Sequence, residues 1–149
     1  MDIALGVVLA LAIGLFGTLT GMDRERAFYP TVMCVIALYY ALFAAISGSM
    51  QVLAHESPAI LFFLALSVAG FRHSLWWTVA ALALHGVFDL NHARWIHDPG
   101  VPAFWPGFYL SYDIVAAGYL AWLVRSGRVR VRPGTERNEP APGDAGPRA

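Results

Sequence analysis

Uninterrupted apolar blocks constrain this chain more than any other feature. The first, Ile3 to Leu19, holds no charged residue. At about 1.5 Å of rise per residue, a helix over residues 3–21 is long enough to cross a hydrocarbon layer about 30 Å thick. Blocks of similar character follow at residues 31–47, 50–71, 75–91 and 107–124. Apolar residues make up 58% of the 149 positions and charged ones only 13%. An ordinary soluble domain stays near about 45–50% apolar. The pattern predicts an all-α membrane protein, a bundle of five transmembrane helices whose main partner is the lipid bilayer. Residues 1–125 form the transmembrane domain in this reading, and 126–149 a cytoplasmic tail.

The breaks between blocks carry the local chemistry of helix ends. Asp2 stands where a secretory signal would have a basic residue, and Arg24 and Arg26 follow the first block instead. That order predicts an uncleaved span. Asp23-Arg24-Glu25-Arg26 reads as a short loop, with Pro30 in the first turn of the next helix. Gly48 and Ser49 end the second block. Starting the third span at Pro58 leaves it too short, so a start near Met50 is preferred, with Pro58 as a kink. Arg72-His73-Ser74 is a tight turn, and Trp76 and Trp77 suit a membrane interface. The loop 91–106, rich in Trp and Pro, is expected to lie in the interface and cover the helix ends. From Pro133 onward the chain is too polar to fold alone and is expected to be disordered.

Arginine placement predicts the topology. With five spans, Arg24, Arg26, Arg72 and the six arginines from Arg125 onward share one side, against Arg94 alone on the other. The positive-inside bias then puts the N-terminus outside and the C-terminus in the cytoplasm. Small residues at Ala10, Gly14, Gly17 and Gly21 recur at helical spacing, which suits close helix packing. They offer a candidate contact for a homo-oligomer. Cys34 is the only cysteine, so no intrachain disulfide exists. The basic run from Arg128 to Arg132 is too short and isolated to predict nucleic-acid binding.

Against this apolar background, His85, Asp89 and His92 stand at i, i+4 and i+7. On one helix their side chains fall within roughly 60° of each other. Counting from the predicted outer face brings Glu56, His85, Asp89 and Asp113 into the outer third of the bilayer. An ionisable group at mid-membrane costs about 2.5–3.5 kcal/mol on insertion scales, so such residues are expected to face one another. The predicted site is a polar pocket opening outward, lined by these four, with Trp105 and Tyr109 closing it and His92 at its rim.

Three readings of this pocket stay open. It locks helices together by hydrogen bonds; it binds or moves a small molecule, ion or proton; or it holds a divalent metal. For the last, His85, Asp89 and His92, with Glu56 or Asp113, supply donors suited to Zn²⁺ or non-haem iron. His55 and His97 are expected to be solvated. No HExxH, phosphate-loop, dinucleotide or GxSxG motif is present, so no catalytic residue is assigned.

The blocks Asp23-Arg24-Glu25-Arg26-Ala27-Phe28-Tyr29-Pro30, His85-Gly86-Val87-Phe88-Asp89 and Gly100-Val101-Pro102-Ala103-Phe104-Trp105-Pro106 resemble an uncharacterised family of small bacterial integral membrane proteins. The resemblance spans roughly residues 20 to 125. It implies a multi-pass protein of the bacterial cytoplasmic membrane with five spans, and it assigns no activity.

Overall fold

The computed structural model describes residues 1–129; the tail from residue 130, including the stretch expected to be disordered, lies outside the described residues. Five helices follow in order: α1 (Asp2–Thr20), α2 (Phe28–Ile46), α3 (Met50–Arg72), α4 (Trp76–Trp95) and α5 (Trp105–Arg125). The described residues are thus all-helical. α1, α2, α3 and α5 are long and apolar enough to cross a membrane. α4 is not, which departs from the five-span expectation. Its second half carries Asp89, Asn91, His92 and Arg94, and each of these makes a window of apolar residues more polar.

Local chemistry sets the ends. After α1, Gly21 adopts a left-handed φ of 77° and its N–H donates to the Thr18 carbonyl, the usual glycine stop. Between α2 and α3, the Ser49 side chain accepts from the Val52 N–H and caps α3. Pro58 lies inside α3 and removes one backbone donor there. Arg26 of the charged loop donates to the carbonyls of Phe71, at 2.6 Å, and Gly70, at 3.2 Å. It thereby satisfies the exposed end of α3. Asp23 is buried and accepts a 2.5 Å hydrogen bond from Thr18.

The outside of the molecule is apolar. Leu15, Leu61 and Leu90 are each more than half exposed, as are many other large side chains. A water-soluble surface does not carry apolar area on this scale, whereas lipid accepts it. This is a helical membrane protein.

α5 packs against α1 and α4; α3 packs against α2 and α4. The small face of α1, with Gly6, Ala10, Gly14 and Gly17 buried, lies on α5. A Cβ on Gly6 would stand 2.1 Å from the Phe108 carbonyl oxygen, so this approach requires glycine. The face offered above as an oligomer contact is therefore covered within the chain. The Gly100-Val101-Pro102 loop packs as closely: a Cβ on Gly100 would meet the Phe43 carbonyl oxygen at 2.2 Å. This contact fixes the loop over the end of α2.

Candidate functional site

Four helices converge on one polar centre. His85 and Asp89 come from the same face of α4, one turn apart. Gly86 lets α5 approach beside them, for a Cβ there would already lie 3.2 Å from the Asp113 Cβ. Asp113 of α5 then reaches His85: the imidazole Nδ1 is 2.9 Å from Asp113 Oδ2. Asp89 Oδ2 lies 3.3 Å from the same nitrogen, in ion-pair range but off the line of a good hydrogen bond. One ligand-capable atom from each of these three residues falls within 4.8 Å of the others.

A second pair sits beside the first. His92 Nε2 is 2.6 Å from Glu56 Oε1 of α3. Tyr40 of α2 joins the two groups. Its hydroxyl donates to Asp89 Oδ1, and its ring stacks on His92 with centroids 4.4 Å apart. Phe63 and Phe88 close the apolar wall around His85. Glu56, His85, Asp89, His92 and Asp113 are all at most 2% exposed.

The geometry redraws the expected site at three points. His92, placed at the rim by sequence, is buried and paired with Glu56, because α4 continues to Trp95 and leaves His92 three residues inside the helix. Glu56 accordingly joins His92 and not His85. The group that could hold a metal is His85, Asp89 and Asp113, with Asp113 standing where His92 was expected.

Trp105 and Tyr109 do not hydrogen-bond to this centre among the described residues. They stack on each other, centroids 4.3 Å apart, and Trp105 meets the Phe43 ring edge-on at 4.5 Å. Their part is an aromatic wall between the loop that joins α4 to α5 and the bundle. His55 and His97 are exposed and apart from the centre. Tyr40 was missed as a site residue, since an apolar helix usually uses tyrosine for packing. Its depth gave a signal: six residues from the end of α2, it is level with Glu56, six residues into α3.

Hydrogen bonding leaves this centre incomplete. Glu56 Oε2, His85 Nε2, Asp89 Oδ2 and Asp113 Oδ1 are buried without a hydrogen-bond partner among the described residues. Buried polar atoms are normally satisfied, and leaving one unpaired costs about 1–3 kcal/mol. Charge is equally demanding. With neutral imidazole, Asp89 and Asp113 together would carry two negative charges in a dry interior. Burial of uncompensated charge is strongly unfavourable. One divalent cation, or protons in its place, restores neutrality.

The class that fold and centre define is a helical membrane protein with a buried His–Asp–Asp group. The chain has no match among protein-family models, curated proteins or solved structures. Its chemistry is therefore read from its own geometry.

Proposed function

We propose that this protein binds a divalent cation inside the membrane, with His85, Asp89 and Asp113 as its ligands. The observation that carries this reading is the convergence of three buried donor atoms within 4.8 Å, where further carboxylate and imidazole atoms are left unpaired. Nitrogen and oxygen ligands lie about 2.0–2.2 Å from Zn²⁺. Two such ligands on adjacent corners of a coordination polyhedron stand about 3 Å apart, close to the 2.9 and 3.3 Å around His85 Nδ1. Mixed imidazole and carboxylate donors suit Zn²⁺, Fe²⁺ or Mn²⁺. Tyr40 acts as the orienting partner, holding Asp89 by its other oxygen. The complete burial of the ligands favours an ion over an organic ligand as cargo. A purely hydrogen-bonded lock leaves Asp89 Oδ2 without a partner, and an ion at these three atoms engages it.

In this reading α4 also crosses the bilayer, since Thr78, His85, Asp89 and His92 face the interior and Leu84, Val87 and Leu90 face outward. The arginine bias puts the N-terminus outside and the C-terminus in the cytoplasm of a bacterial cell, with the Glu56–His92 pair on the outer side of the metal group. Any homo-oligomer uses a surface other than the small face of α1.

Elemental analysis of protein purified without chelator tests the site. About one divalent metal per chain is expected, falling to background in His85→Ala and in Asp113→Asn. A folded, metal-free protein whose thermal stability ignores added Zn²⁺, Fe²⁺ and Mn²⁺ would overturn the proposal.

A further inference from the structure

A cleft of about 530 Å³ runs between α1 and α2, with Tyr109 and Tyr112 of α5 also in its lining. Its long walls are apolar. Leu9 and Val35 stand at the rim, 37% and 50% exposed, and Ile36 lies buried in the floor. Phe28 and Tyr39 both line it, eleven residues apart on α2, a run of about 16 Å at helical rise. The cleft is thus long and narrow, and it lies along helices that are themselves apolar enough for lipid.

One part of the lining is not apolar. Tyr39, Tyr109 and Tyr112 come together there, with Tyr109 and Tyr112 only 6% and 3% exposed. Tyr39 and Tyr109 are ring neighbours, as are Tyr109 and Tyr112. None of the three hydroxyls has a hydrogen-bond partner among the described residues. Buried phenols usually find an acceptor. Three unpartnered donors at one place in an apolar cleft call for an acceptor that arrives with an apolar body.

We propose that this cleft is a lateral binding site for a single-chain lipid whose neutral head carries a carbonyl oxygen. The chain lies between α1 and α2, and the carbonyl accepts from the tyrosine hydroxyls. A neutral head fits because no arginine, aspartate or glutamate lines the tyrosine end; Glu25 belongs to the opposite mouth, beside Phe28. The site is distinct from the His85 centre and stands whether or not that centre holds a metal.

Photolabelling in phosphatidylcholine nanodiscs tests this directly. The probes are a long-chain methyl ketone and an alkane of the same length, each with a diazirine near the tail. The ketone is expected to label the peptides around Ile13 and Phe28, away from the tyrosines, saturably. One net hydrogen bond of about 1 kcal/mol predicts labelling about five-fold above the alkane. Val35→Trp, which puts an indole at the rim, should abolish labelling by both probes. The double variant Tyr109→Phe/Tyr112→Phe, which removes two hydroxyls and leaves the rings, should bring the ketone down to the alkane level. Equal labelling by the two probes in the unmodified protein, or a ketone preference that survives loss of the hydroxyls, overturns the proposal and leaves a crevice filled by bulk lipid. If Val35→Trp fails to fold, the Phe variant and the probe comparison still decide.

Discussion

Tyr40 shows how much of the centre rests on one atom. Its hydroxyl donates to Asp89 and its ring covers His92, so Tyr40→Phe removes the donor and keeps the packing. Leaving a buried carboxylate oxygen unpaired should cost about 1–3 kcal/mol. As the loss of an orienting partner, it should also weaken metal binding by about 10–100-fold. Denaturant titration and metal titration of the same preparation separate the two effects. Lower stability with unchanged metal affinity would mean that Tyr40 supports the fold and not the ion. The Glu56–His92 pair makes a different prediction. Truncating either partner strands a buried polar group, which costs about 3–5 kcal/mol for a buried ion pair. The double variant Glu56→Gln/His92→Gln should therefore lose less than the sum of the two single changes.

At the scale of the helices, glycine decides how close α4 and α5 come. Gly86 leaves room for Asp113 and for the backbone of Leu110, which an added Cβ would approach to 3.2–3.4 Å. Gly86→Ala should push the helices apart by a few tenths of an ångström. The expected cost is about 1–3 kcal/mol, as for overpacked cores, together with weaker metal binding because Asp113 is drawn away from His85. Gly118 on α5 has nothing within 4 Å of a Cβ. Gly118→Ala should instead stabilise the helix by up to about 1 kcal/mol. Equal behaviour of the two variants in thermal melts and metal titrations would refute the close-approach argument.

For the molecule as a whole, the question is whether α4 crosses the membrane with its neighbours. By composition alone it fails. In the bundle His85, Asp89 and His92 have partners, and insertion of a polar helix depends on such partners. His73 and His97 flank α4 at opposite ends, and both are exposed. In a Cys34→Ser background, His97→Cys should react with an impermeant maleimide on intact cells, and His73→Cys only after permeabilisation. Reaction of both from the same side would show that α4 does not cross.

What was legible in the sequence is what depends on neighbouring residues along the chain. Apolar run length marks the helices, and Gly48, with a left-handed φ of 68°, marks the end of α2 by backbone freedom. The i, i+4 spacing puts His85 and Asp89 on one face because a helix fixes where each side chain points around its own axis. Which residues meet across helices is a different quantity. It depends on how each helix is rotated and how deep it sits against its neighbours, and close contacts at Gly6 and Gly86 help set both. Only the tertiary structure could therefore send Asp113 to His85, Glu56 to His92 and the Tyr40 hydroxyl to Asp89, and turn the small face of α1 onto α5.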